Sequence, residues 1–156
     1  MRAITFNTMF ALLSLISTSA FACSCIYSEL TYDAVFDRAT SYDVIFIGEI
    51  RRVDRLGAEG SSSDREWTMA TFSVEEPLKG LGNTSEIQIF SVIGMCVAPF
   101  FEKQRYVVFA RYDEDSGKLL TSSCGLDIMP SETKEDDDDE LRSYQLRRLA
   151  LLREVL

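Results

Sequence analysis

The chain has 156 residues, with 16 basic and 25 acidic side chains, no histidine and a formal charge of −9 at pH 7. An acidic surface of this kind repels phosphate groups and anionic lipid heads, which argues against nucleic-acid binding and electrostatic membrane binding. Without histidine, the usual general base, proton shuttle and zinc ligand of enzymes are all missing.

The first segment is typical of a secretory signal peptide. A single basic residue precedes an apolar run over residues 6–16, and Ala20 and Ala22 form an A-x-A cleavage pattern. The apolar run is shorter than the roughly 20 residues that a membrane-spanning helix needs. Residues 1–22 are therefore predicted to be removed, which leaves a secreted chain of about 130 residues, the size of one domain, that starts at Cys23. In a Gram-negative bacterium such a chain would be periplasmic.

Four cysteines remain in this predicted mature chain: Cys23, Cys25, Cys96 and Cys124. An even number of cysteines in a secreted chain predicts disulfides, because the compartment is oxidising. A bond between Cys23 and Cys25 would close a very small ring with poor geometry, which leaves two pairings. In both of them the C-S-C end is attached twice to the body of the domain. A zinc site with four cysteines is the alternative, although such sites usually contain two C-x-x-C pairs.

Cys23, the predicted first residue, is also a candidate site for lipid attachment. A bacterial lipoprotein would be acylated at Cys23, which would block the α-amino group. Lipoprotein signals favour leucine three residues before the cysteine, whereas this chain has Ala20 there, followed by the bulky Phe21. We therefore favour a free amino terminus.

The first half of the mature chain predicts a helix followed by two strands. Apolar residues at helical spacing predict a short helix over 27–39. Residues 42–50 are rich in β-branched and aromatic side chains and predict a strand, in which Gly48 is placed where a strand can bend or bulge. A loop over 57–64 then leads to a second strand over 67–74.

The second half predicts three more strands. Proline and glycine residues over 75–83 end the second strand, and the third is predicted over 87–93. The clearest strand in the sequence covers 104–112, and a turn over 113–117 leads to a last strand over 118–123. Five short strands with helices only at the two ends predict a mainly β fold, namely a small five-stranded OB-fold-like barrel.

The chain ends with an acidic run over 134–140 and an amphipathic pattern over 141–156. We interpret the acidic run as solvated and favourably placed at the N-terminus of a helix. A calcium-binding loop would need spaced ligands and an internal glycine. The amphipathic pattern predicts a C-terminal helix that packs on the barrel, although Gln145 and Arg148 interrupt its apolar face.

Several segments of the mature chain occur in an order that has a counterpart in a known family. They are the C-S-C end, residues 43–50, Phe72-Ser73-Val74 with Leu78-Lys79-Gly80, Cys96, residues 105–110 and residues 117–124. Together they resemble the N-terminal domain of the tissue inhibitors of metalloproteinases, within the wider netrin-like module family. The resemblance covers most of residues 23–156, and the cysteine spacing is its most specific part.

The resemblance implies an OB-type barrel with the disulfides Cys23–Cys96 and Cys25–Cys124. It also implies that the α-amino nitrogen and the carbonyl oxygen of Cys23 chelate the catalytic zinc of a target protease. An α-amine, with a pKa of about 7.7 to 8, gives up its proton to zinc far more readily than a lysine amine near 10.4. The zinc belongs to the target, so no cofactor of the chain's own is expected.

The family also implies a ridge of residues around the amino terminus that contacts the protease. The side chain of Ser24 would enter the pocket beside the zinc. The expected inhibitory ridge comprises Cys23, Ser24, Cys25, Ile26, Met95, Cys96 and Val97. For Met95 and Val97, ordinary burial next to a disulfide is the competing interpretation.

The chain departs from the family pattern in two respects. The inhibitors have a third disulfide in this domain, and a proline soon after the second cysteine, where this chain has Ile26 and Tyr27. The alternative function is therefore a secreted netrin-like module that binds another extracellular protein without inhibiting it. An enzyme is not expected, because oxidised cysteines cannot act as nucleophiles and no histidine is present.

Overall fold

A computed structural model describes residues 30–57, 66–94, 96–129 and 139–156. Its helices and strands, in chain order, are α1 (Tyr32–Thr40), β1 (Val44–Leu56), β2 (Trp67–Lys79), β3 (Glu86–Val92), β4 (Arg105–Asp113), β5 (Lys118–Leu120), β6 (Leu126–Ile128) and α2 (Asp139–Val155). A short 3-10 turn, Ser123–Gly125, connects β5 to β6. The predicted signal peptide, residues 1–22, lies outside the described residues.

The six strands form one sheet, and five of them close into a ring. The strand order around the ring is β1, β2, β3, β5 and β4, and β4 pairs again with β1. The contact between β3 and β5 is parallel and reduced to the pair Phe90 and Leu120, whereas the other pairings are antiparallel. The sixth strand, β6, lies alongside residues 106–108 of β4. The prediction of a mainly β fold is confirmed.

An apolar core lies on one face of the ring strands and is centred on aromatic residues. Phe72 contacts Phe46, Phe100 and Tyr106, with ring centroids 5.4, 6.1 and 6.3 Å apart and the rings nearly perpendicular. Edge-to-face contacts of this kind stabilise a core beyond the area that they bury. The fully buried members of this core are Phe46, Ile50, Ala70, Phe72, Ile89, Tyr106, Val108 and Ala110.

A second core lies on the opposite face of β1 and β4, where the two helices pack. Successive side chains of a strand point to opposite faces, so Phe46 belongs to the first core while Ile45 and Ile47 belong to the second. The helices supply Val35, Ala39, Leu149 and Leu152 to this layer. The prediction that the C-terminal helix packs on the sheet is confirmed, and the burial of β1 on both faces explains its unbroken apolar run.

Both helices have slightly different limits from those predicted. The helix predicted over 27–39 begins only at Tyr32, because the Thr31 hydroxyl caps it by accepting a hydrogen bond of 3.3 Å from the Ala34 N–H. The C-terminal helix begins at Asp139, so it includes the last residues of the acidic run. The remainder of that run, residues 134–138, lies outside the described part of the chain.

The end of β2 was predicted wrongly. The strand does not stop before the proline and glycine residues but continues through Pro77 to Lys79. Pro77 lies opposite Phe46, next to an irregularity in the register of β1 and β2. A proline fits there because an irregular position does not need its missing N–H as a ladder donor.

Two other strands have limits that differ from the prediction, and one strand was not predicted. β1 extends past the predicted end at Ile50 to Leu56, because its second half pairs with β2. The strand predicted over 118–123 ends at Leu120, because the 3-10 turn follows. β6 was not predicted, since three residues are too few for an apolar period to be visible.

Gly48 lies at a bulge, as its position in the sequence predicted. The register of β1 against β2 shifts between Ile47 and Gly48. A methyl group built on Gly48 would lie 2.6 Å from the carbonyl oxygen of Ser73 and 3.0 Å from the ring of Phe46. The neighbouring strand therefore approaches too closely for any side chain at this position.

We predict that Gly48→Ala lowers the free energy of unfolding by about 1–3 kcal/mol, because the added methyl group meets a backbone oxygen that cannot move aside cheaply. Gly57→Ala is the matched control, since a methyl group there would meet no atom of the described residues within 4 Å. It should leave stability unchanged or raise it slightly. Urea-induced unfolding of both variants measures the difference, and equal effects would contradict the close approach at Gly48.

Candidate functional site

The structure describes two residues of the expected inhibitory ridge, Cys96 and Val97. Cys96 is exposed and Val97 is half-buried, so this part of the ridge lies at the surface. The other ridge residues lie outside the described residues, and their roles stay predictions: Cys23, Ser24, Cys25, Ile26 and Met95.

The two cysteine-bearing segments of the folded domain lie side by side. Cys96 follows β3, whereas Cys124 lies in the 3-10 turn before β6. The backbone N–H of Ser123 donates a hydrogen bond of 3.1 Å to the carbonyl oxygen of Cys96. Both cysteines are disulfide-bonded rather than free thiols. We call Cys96, Val97, Ser123 and Cys124 the cysteine junction.

The loop that carries Cys96 is fixed to the first core by side chains of two strands. The hydroxyl of Ser91, in β3, accepts a hydrogen bond of 2.8 Å from the Ala98 N–H. The hydroxyl of Tyr106, in β4, donates to the Pro99 carbonyl over 2.9 Å and accepts from the Phe101 N–H over 3.3 Å. Burial raises the pKa of the Tyr106 phenol, which therefore remains a donor. These buried and partly buried hydrogen bonds restrict the loop on the C-terminal side of Cys96.

The turn that carries Cys124 is fixed by Thr121 and Gly125. The Thr121 N–H donates to the Phe90 carbonyl over 2.9 Å, and the Thr121 hydroxyl donates to the Phe109 carbonyl over 2.8 Å. Gly125 lies so close to β4 that a methyl group there would be 2.7 Å from the carbonyl oxygen of Phe109. The turn is therefore held against both β3 and β4.

Arg38 connects α1 to the cysteine junction. Its guanidinium donates a hydrogen bond of 2.7 Å to the Cys124 carbonyl and one of 3.3 Å to the carboxylate of Asp127. It also lies 4.1 Å from the centroid of the Phe109 ring. Arg148 of α2 donates to the other oxygen of Asp127 over 3.1 Å. We call Arg38, Asp127 and Arg148 the arginine–aspartate network. It attaches both helices to β6, directly after the turn that carries Cys124.

Burial dominates the electrostatics of Asp127. Its side chain is only 18% exposed, and loss of solvent raises the pKa of the carboxyl above its usual value, while Arg38 lowers it by less. Removing charges from water can cost more than their attraction returns, so the network is weak evidence for stability. What it shows is a set of polar contacts that connects α1 and α2 to β6.

A cavity of about 400 Å³ lies between α1, α2 and the strands β4 and β6. Apolar side chains form most of its wall, including Val35, Phe109, Leu126 and Leu149. The three members of the arginine–aspartate network also line it. One feature of the sequence pointed to this cavity: Gln145 and Arg148, which interrupt the apolar face of the last helix, both line it. No sequence pattern singled out Asp127.

A surface ion pair attaches the end of α2 to β2. Arg153 donates to both carboxylate oxygens of Glu76, over 2.8 and 2.5 Å. This hydrogen bonding lowers the pKa of the Glu76 carboxyl despite partial desolvation. Because both side chains are more than a third exposed, we expect the pair to contribute at most about 1 kcal/mol to the free energy of unfolding.

Comparisons with protein-family models and with characterised proteins find no match to this chain. Among the described residues, no three histidine, cysteine, aspartate or glutamate side chains converge as metal ligands would. None of the helices in the described ranges has the length and apolar character needed to cross a bilayer. The assignment to a family therefore remains a proposal based on the residues of the chain itself.

We predict that Thr121→Val lowers the free energy of unfolding by about 1–2 kcal/mol, because it removes a buried hydrogen bond that positions the turn of Cys124. Thr71→Val is the matched control: Thr71 is similarly buried, but its hydroxyl has no hydrogen-bond partner among the described residues. That control should be neutral or stabilising. Equal losses in chemical denaturation would contradict the role of the Thr121 hydroxyl.

We predict opposite pH dependences for two carboxyl groups. Folding raises the pKa of Asp127, so the stability that it contributes is greatest below its unfolded pKa, about 3.9, and declines as the pH rises through the folded value. Folding lowers the pKa of Glu76, so its contribution is present above the unfolded pKa and is lost as the pH falls through the folded value.

The measurement compares wild type with Asp127→Asn and with Glu76→Gln by urea unfolding between about pH 3 and pH 7. The wild-type advantage over Asp127→Asn should shrink as the pH rises, while the advantage over Glu76→Gln should grow. The same sign of slope for both variants would show that burial does not dominate at Asp127.

Proposed function

We propose that the chain is a secreted, netrin-like inhibitor of zinc metalloproteases that acts through the amino terminus at Cys23. In this proposal the ring of five strands is the five-stranded OB-type barrel expected for the family. The disulfides are Cys23–Cys96 and Cys25–Cys124. The observation that carries the proposal is the hydrogen bond from the Ser123 N–H to the Cys96 carbonyl, which sets the two cysteine-bearing segments side by side.

That hydrogen bond matters because of the short C-S-C spacing. Two residues of extended chain span at most about 7 Å, and the Cα atoms of a disulfide usually lie about 4.4–6.8 Å apart. Cys23 and Cys25 can therefore bond to two different partners only if those partners are close neighbours in the fold. Cys96 and Cys124 meet this requirement through the paired backbones of the cysteine junction.

A terminus attached there would be well suited to bind a metal in another protein. The cysteine junction is fixed to buried strands by Ser91 and Thr121, while Cys96 itself is exposed. An amine held in this way loses little conformational entropy when it binds, which strengthens binding without a new contact. The α-amine and carbonyl of Cys23 would displace the water from the open position of a catalytic zinc, and Ser24 would occupy the adjacent pocket.

The second candidate function is a protein-binding module without inhibitory activity. It is favoured by an exposed aromatic pair on α1, Tyr32 and Phe36, whose side chains are 47% and 42% exposed. Their rings stack with centroids 6.4 Å apart. Aromatic side chains displayed in this way are typical of protein interfaces.

We predict that the mature protein inhibits at least one zinc metalloprotease of a test panel, and that one extra alanine before Cys23 abolishes this inhibition. The extension moves the α-amine away from the carbonyl with which it chelates zinc. The matched control carries the extra alanine after Leu156 and should inhibit as wild type does. Acetylation of the Cys23 amine should act like the N-terminal extension.

Inhibition that survives the N-terminal alanine would refute chelation by the amine of Cys23. If wild type inhibits no protease of the panel but binds an extracellular protein, the module is favoured, and substitution of Tyr32 and Phe36 should then reduce that binding. Mass spectrometry of the secreted protein before and after reduction tests the premises directly. A first residue other than Cys23, lipid on that residue, or a Cys96–Cys124 bond would each overturn the proposal.

A further inference from the structure

The cavity between the helices and the sheet has the size of a ligand site. Its volume of about 400 Å³ falls in the range of about 300–1,000 Å³ that is usual for small-molecule pockets. Such pockets combine mostly apolar walls with a few polar groups that fix orientation. This cavity has both, since Val35, Phe109 and Leu149 form apolar wall next to the arginine–aspartate network.

The position of Arg38 makes it suitable for recognising an anion. Its guanidinium is held in place by Cys124, Asp127 and the ring of Phe109, so it needs little further ordering to accept a ligand. The two hydrogen bonds that it donates leave further N–H donors, because a guanidinium carries more than two. A carboxylate matches the planar geometry of those donors.

Asp127 limits how much negative charge the cavity can accept. Its carboxylate lies within 3.3 Å of Arg38 and also lines the cavity. A dianionic group such as a phosphate monoester would be repelled more strongly than a monoanion. Apart from the network, Tyr144 and Gln145, the residues that line the cavity are apolar, which suits a hydrocarbon chain better than a second charged group.

The geometry points to a binding site for a single-chain amphipathic carboxylate, with its carboxylate at Arg38 and its hydrocarbon chain against Val35 and Leu149. The ligand class is that of a medium-chain fatty acid. This site is separate from the expected inhibitory ridge and does not depend on the amine of Cys23.

The experiment is calorimetric titration of the mature protein with decanoate, decanol and decyltrimethylammonium. Decanoate should bind about tenfold or more tightly than decanol, because only the carboxylate can form charged hydrogen bonds with Arg38. The cationic probe should bind more weakly than both. Equal affinities for decanoate and decanol, or no binding of decanoate below its micellar concentration, would overturn the proposal.

Two variants on α1 locate the site. Ala34 lines the cavity and is half-buried, so Ala34→Phe should occupy the space of the chain and weaken decanoate binding about tenfold or more. The matched control is Asp37→Phe, at an exposed position of the same helix that does not line the cavity, and it should bind as wild type does. Unchanged binding in Ala34→Phe would place the ligand elsewhere and refute this site.

If the variants do not fold, a measurement on the wild-type protein can locate the ligand instead. In methyl NMR spectra, decanoate should shift the signals of Val35 and Leu149, which line the cavity, more than those of Ile89 and Val108 in the first core. Shifts confined to the first core, or absent from both sets, would contradict the assignment.

Discussion

Burial of β1 and β4 on both faces is the constraint on which the rest of the structure depends. The two strands pair along residues 44–49 and 105–110, and this pairing closes the ring. Successive side chains of β1 and β4 then point alternately into two different cores, one among the strands and one under the helices. A helical layer is required because Ile45, Ile47 and Val107 would otherwise face water.

Closure of the ring also brings the segments that carry Cys96 and Cys124 together. β3 and β5 are far apart along the chain, but they meet at Phe90 and Leu120 because both are needed to complete the ring. The segments that follow these two strands carry Cys96 and Cys124, so they leave the sheet as neighbours. The proposed inhibitory terminus thus depends on a global property of the sheet rather than on a local motif.

Arg38 links the two proposed sites. It donates to the carbonyl of Cys124 in the cysteine junction and also lines the cavity under the helices. Its other partner, Asp127, is a charge whose burial is costly, as its raised pKa indicates. Apolar side chains often stabilise a buried site at least as well as ion pairs do, so we interpret the network mainly as the polar link that connects α1 and α2 to β6.

The sequence by itself determined the mainly β class, the approximate positions of β1 to β5, the C-terminal helix and the bulge at Gly48, because these depend on local periodicity and on backbone freedom. It could not determine that β2 continues through Pro77, that β6 exists, or that Cys96 and Cys124 lie side by side. Those features arise from pairing between distant segments, which supplies hydrogen bonds and burial that no local pattern records. The raised pKa of Asp127 belongs with them, since only the folded chain removes its carboxylate from water.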